Sequence, residues 1–241
     1  MILLYLSTLV LLCDSYKILV ISPKLGYSHM NFMGKIADTL VDAGHEVVTF
    51  QPIVEPALVG NGTTKSRLIQ CGPFDDLMKE MSQQHDENQK NSIWTKSASD
   101  PIGVIRLAPL LASTTEKILP RLLDNKEVLQ QLKDENFDVA ITELFDFLGI
   151  GVLEAIGLKN IIGAHSAILM EGTSLALGVP MLPSYVPAFF GVTNDSTDIW
   201  TRAMNLAFTY ASWYFQTTIA DAADQVMKAK LGPNATPVWV G

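Results

Sequence analysis

Lys17-Ile-Leu-Val-Ile-Ser22 runs into Pro23-Lys-Leu-Gly-Tyr-Ser-His29, then into an amphipathic stretch that reaches Ala43 and Gly44, and then into Glu46-Val-Val-Thr-Phe50. The outer two segments are apolar runs of strand length. Between them Phe32, Met33, Ile36, Ala37 and Leu40 recur at helical spacing, which predicts one apolar helix face. Ser28 is placed to cap that helix by accepting a backbone N–H from its first turn. Gly44 supplies the left-handed residue that ends it. Strand, helix and strand in so short a span imply two parallel strands joined by a right-handed crossover.

The same alternation returns further along. Phe137-Asp-Val-Ala-Ile-Thr142 reads as a strand, Phe145 to Ile156 as its helix with Gly157 as terminator, and Asn160-Ile-Ile-Gly-Ala164 as another short strand. Pro101 to Ala112 and Ser113 to Leu132 look helical, with Ser113-Thr-Thr-Glu116 as a capping box and Pro120 as a kink or junction. Trp200 to Lys230 reads as a long helix or a helix pair. Gln51 to Asp100 is polar and reads as surface excursions around short helices. Strands alternating with helices predict an α/β fold with a doubly wound, Rossmann-like parallel sheet.

The chain has 241 residues, 48% of them hydrophobic and 17% charged, enough for a substantial core. Its net charge of −8 argues against a nucleic-acid binder, which needs a basic stripe. Met1 to Leu12 is almost wholly apolar but too short to span a membrane. With Cys13-Asp14-Ser15 after it, residues 1–15 read as a secretory signal peptide, although the usual positive n-region is missing. Its removal leaves Cys71 alone, so no internal disulfide is expected. Asn61, Asn194 and Asn234 open N-glycosylation triplets, which fit a lumenal chain. The apolar stretch 161–192 is interrupted by Glu171, prolines and glycines, and reads as a pocket wall rather than a membrane helix.

In an open parallel sheet, ligands bind beyond the carboxyl ends of the strands, near the reversal of strand order. His29 lies in the loop after the first strand, and Glu143 directly follows the strand ending at Thr142, with Asp146 three residues on. A histidine with a reference pKa of about 6.5 suits a general base at neutral pH. A carboxylate beside it would fix the imidazole tautomer and stabilise the imidazolium. Taken alone, Glu143 and Asp146 read better as a helix N-cap or an acid in the first turn of a helix. His45 reads as a turn residue, His85 as solvated, and His165 as a pocket-lining or buried hydrogen-bonded residue. There is no cysteine cluster or HExxH for zinc, no G-x-S-x-G elbow, and no dinucleotide or P-loop pattern in the first loop.

These residues resemble a family. The opening strand, Gly26-Tyr-Ser-His29, Asp38-Thr-Leu-Val-Asp-Ala-Gly-His-Glu-Val-Val48, Phe137-Asp-Val-Ala-Ile-Thr142 and Pro183-Ser-Tyr-Val-Pro187 look like the N-terminal half of the UDP-glucuronosyltransferases. Thr142-Glu-Leu-Phe-Asp146 looks most like the nematode members. The resemblance implies a two-domain GT-B glycosyltransferase: an acceptor-binding half at 16–232, the start of an interdomain linker at 233–241, and a donor domain that this chain does not contain. It implies glycosyl transfer, with glucuronate as the sugar, from a UDP-sugar to a lipophilic acceptor hydroxyl in the endoplasmic reticulum lumen. His29 then matches the family's base and Glu143 its partner, with Asp146 as the alternative. Glu stands where the family usually has Asp, one methylene shorter. Phe32, Met33, Phe145, Phe147 and His165 are candidates for the acceptor pocket wall, with ordinary core packing as their alternative. No cofactor or metal is implied, because the UDP-sugar is a co-substrate held mainly by the other half. Full-length relatives are membrane-anchored. The chain alone is expected to be inactive, and a dimer with family members is among the expected partners. The rival reading is a non-catalytic truncated form that binds lipophiles or regulates full-length relatives.

Overall fold

The computed structural model describes residues 15–74, 101–189, 191 and 198–239. The signal segment before Ser15, His85 and the Asn194 triplet lie outside the described residues. Five strands, β1 (Lys17–Ile21), β2 (Glu46–Pro52), β3 (Arg67–Cys71), β4 (Val139–Glu143) and β5 (Ile161–Ala164), form one sheet in the order β3-β2-β1-β4-β5. Every pairing in it is parallel. The helices are α1 (Tyr27–Asp42), α2 (Pro101–Asp124), α3 (Lys126–Asp134), α4 (Leu148–Ile156), α5 (Glu171–Ala176) and α6 (Ile199–Leu231). This is the Rossmann-like α/β architecture that the alternation of elements predicts.

The pleat of β1 divides the core. Leu19 and Ile21 face the larger cluster with α2, α4 and α6, whereas Ile18 and Val20 face Met33 and Ala37 of α1. The strand order reverses between β1 and β4, where Ile21 pairs with Phe50 on one side and Thr142 on the other. The carboxyl ends of β1 and β4 are therefore level and adjacent.

Several local expectations are corrected. Helix α1 begins at Tyr27 with Gly26 as its N-cap and no side-chain cap, so Ser28 lies inside the first turn and is exposed. The inward face centres on Met30, Met33, Gly34 and Ala37, leaving Phe32 exposed. The reason is a close backbone approach: a Cβ on Gly34 would sit 2.1 Å from the Gly62 carbonyl carbon. Asp38, one turn on, then binds the same loop by accepting from Thr63 Oγ1 and from the backbone N–H groups of Thr64 and Lys65.

Helix α2 runs unbroken through Pro109, Ser113-Thr-Thr-Glu116 and Pro120, so the expected capping box marks no boundary. An interior proline costs roughly 3 kcal/mol. The buried stripe from Val104 through Ala108, Ala112, Thr115, Ile118, Leu119 and Leu122 outweighs that, at about 1.5–3 kcal/mol per large apolar side chain. Strand β3 appears where surface excursions around short helices were expected, because Ile69 and Cys71 are buried on one face while Arg67 and Gln70 are exposed. Helix α4 starts at Leu148 rather than Phe145, since Phe147 adopts a left-handed φ of 57° and interrupts the turn. Residues 199–231 form one helix, capped by Asp198, which accepts from the N–H groups of Trp200 and Thr201. The segment after Gly232 lies on the domain as far as Trp239: Thr236 N–H donates to Glu154, Val238 N–H to Asp224, and Trp239 packs edge-on against Phe147.

Candidate active site

His29 is the third residue of α1, just past the end of β1, and Glu143 is the last residue of β4. The parallel register brings them together across the strand reversal. His29 Nδ1 lies 2.7 Å from Glu143 Oε1. The carboxylate is 4% exposed and the imidazole 24% exposed, so the pair has a buried acceptor and a ring that reaches solvent. Ser166, just beyond β5, completes the cluster. Its hydroxyl donates to Glu143 Oε1, its backbone N–H approaches the same oxygen at 3.3 Å, and its Oγ lies 3.0 Å from His29 Nδ1.

This arrangement decides the tautomer. A carboxylate accepts only, so Nδ1 carries the hydrogen and the lone pair sits on Nε2. Among the described residues no side chain hydrogen-bonds to Nε2. Gly26 leaves room for the ring, since a Cβ there would stand 3.1 Å from His29 Cδ2. Phe145 covers the other side, with ring centroids 4.7 Å apart, and is backed by Phe215.

The hydrogen bond and charge of Glu143 raise the pKa of His29 against the opposing effect of burial. Burial opposes ionisation of Glu143, but the hydrogen bonds from His29 and Ser166 prevail and hold its pKa below the usual carboxylate value. Asp146 differs. Burial pushes its carboxyl up to about 7, the N–H of Leu148 opposes this, and the charge of Glu143 adds to it. Its Oδ1 accepts from Leu148 N–H at 2.9 Å, which caps α4. Two nearby carboxylates are thus split by their surroundings into an ionised partner for histidine and a group that stays protonated to near neutrality.

The family model described as UDP-glucoronosyl and UDP-glucosyl transferase matches residues 16–238. The chain belongs to this family. Its similar relatives include ugt-48 of Caenorhabditis elegans, 28% identical over 214 residues, covering 82% of this chain and 37% of the relative. Bovine UDP-glucuronosyltransferase 3A1 is 28% identical over 232 residues, and human UDP-glucuronosyltransferase 3A2 is 27% identical over 233 residues. Each of these two alignments covers 95% of this chain and 42% of the relative. The chain therefore spans about two fifths of the length of these relatives. The parallel sheet flanked by helices is consistent with one half of a GT-B glycosyltransferase.

In this UDP-glycosyltransferase chain, the remaining wall candidates fall into different places. Phe145 stands against His29, whereas Phe32 is exposed on α1. Met33 and Phe147 are fully buried, the first between α1 and the sheet and the second in the larger core cluster. His165 Nε2 lies 3.1 Å from Thr173 Oγ1, and burial lowers its pKa. His45 accepts from Tyr16 N–H at the opposite end of the sheet. Sequence reasoning missed Ser166, although the strand-end rule applied to β5 as to β1 and β4 would have found it. Among the described residues no cluster of His, Cys, Asp and Glu could hold a metal ion, and no helix is long and apolar enough to cross a membrane. Asn61 and Asn234 are both exposed.

Proposed function

We propose that this chain supplies the acceptor-binding half and the catalytic base of an inverting UDP-sugar transferase, with glucuronate as the sugar and a small lipophilic alcohol, phenol or acid as acceptor. The single observation that carries the reading is the 2.7 Å contact between His29 Nδ1 and Glu143, which leaves Nε2 open as a base. The acceptor hydroxyl donates to Nε2. As its oxygen bonds to the anomeric carbon, the proton passes to Nε2. The bond from that carbon to the β-phosphate oxygen breaks, and UDP leaves with the electron pair. Glu143 meets the new imidazolium with a full charge, and Ser166 keeps that carboxylate ionised and aimed.

Residues beyond this chain in the longer relatives would hold most of the UDP-sugar. The site would work in the lumen of the endoplasmic reticulum, where Asn61 and Asn234 are exposed for glycosylation. The test is a polypeptide in which this domain is joined to a donor half. There His29→Ala should lower turnover by about 10²–10⁴-fold with folding retained. Glu143→Gln should lower it strongly and Asp146→Asn much less. Near-normal turnover in His29→Ala removes this reading, and a larger loss in Asp146→Asn than in Glu143→Gln reverses the choice of partner.

A further inference from the structure

A cavity of about 210 Å³ opens between α5, α6 and the strap that follows α5. Its walls are mainly apolar, with Leu169, Val179, Leu182 and Val186 among them, and it shares no residue with the His29–Glu143–Ser166 cluster. Cavities of roughly 150 Å³ already hold a benzene ring. The strap is held in place: Asn205, itself 5% exposed, donates to the carbonyls of Pro183 and Val186 at 2.7 Å and accepts from Ala188 N–H at 2.8 Å.

One lining group is out of character with the rest. Glu171 is 7% exposed, and it accepts from neutral donors, Phe189 N–H and the Ser212 hydroxyl. Among the described residues no cationic side chain pairs with it. A carboxylate has about four acceptor positions, so two hydrogen bonds leave this cavity-lining residue capacity for a further donor. A carboxylate buried without a counter-charge is costly. A ligand that brings both a cation and an apolar body would relieve that cost and fill the space.

We propose that this cavity binds a small lipophilic amine, its ammonium group on Glu171 and its ring between Val179, Leu182 and Val186. This site is independent of the transfer chemistry at His29. The test is calorimetry on the full chain near pH 7.5 with 2-phenylethylamine and its neutral counterpart 2-phenylethanol as probes. Saturable amine binding, tighter than the alcohol by roughly tenfold or more, is expected. Glu171→Gln should abolish that preference, and Val179→Trp should exclude both probes by filling the cavity. Circular dichroism on each variant checks folding. If Glu171→Gln does not fold, the comparison of the two probes and Val179→Trp still decide the matter. Equal affinities for amine and alcohol, no saturable binding in the millimolar range, or binding lost in His29→Ala but kept in Val179→Trp would each overturn the proposal.

Discussion

Asp146→Asn should make the protein more stable above neutral pH and change little in acid. Asp146 lines a small cavity together with Leu25, Leu111, Thr114, Thr115, Phe145, Leu148 and Ile219, and it feels the charge of Glu143. Those surroundings raise its pKa from 3.8 to about 7. Its pKa is higher folded than unfolded. The stability contributed by the protonated form is therefore complete below about pH 3.8 and is lost as pH rises through about 7. A difference of that size corresponds to a ceiling of about 4 kcal/mol. The residue is only half-buried by area, so solvent screens part of the penalty and about 1–2 kcal/mol should remain. Asparagine keeps an Oδ1 to accept from Leu148 N–H but has no charge to bury. Urea denaturation followed by circular dichroism should give equal midpoints for the two proteins near pH 4. Near pH 8 the variant should be ahead by about 1–2 kcal/mol. A variant that is less stable by the same amount at both pH values would show that Asp146 acts as a plain cap. It would also remove the argument that the two carboxylates are held in different protonation states.

In Glu143→Gln, the His29 resonance in an NMR pH titration should move to a lower pKa than in the parent, because burial then acts without the opposing carboxylate. An unchanged titration would detach the pair. Asp38→Ala should cost about 2–4 kcal/mol at pH 7, since it strips several hydrogen bonds from the 63–65 loop. Asp38 has its pKa lowered from 3.8 to about 2, so this contribution is present above about pH 3.8 and fades as pH falls through about 2; denaturation across that range reads it directly. Gly34→Ala, which would strengthen an ordinary helix, should instead destabilise by about 1–3 kcal/mol, because its Cβ meets the Gly62 backbone at 2.1 Å; a rise in melting temperature would contradict this.

What the sequence alone determines here is local and periodic. Lys17–Ile21, Glu46–Pro52 and Val139–Glu143 declare themselves as strands because each is an apolar run bounded by turn residues. Once the strands are parallel, the strand-end rule already places His29, Glu143 and Asp146 near one end of the sheet, which is why all three could be named before any geometry. Other features depended on distant partners and were illegible. The rotation of α1 is set by Gly34 meeting Gly62, so Phe32 turns outward despite its place in the apolar periodicity. The unbroken course of α2 follows from burial against α6, which local proline and capping signals do not report. The choice of Glu143 over Asp146 as the hydrogen-bonding partner of His29 rests on which carboxylate the end of β4 aims across the strand reversal. Ser166 enters only because β5 lies beside β4. A side chain's neighbours in the chain are fixed by sequence, but the hydrogen bonds that set the charge of His29 come from Glu143 and Ser166, more than a hundred positions away.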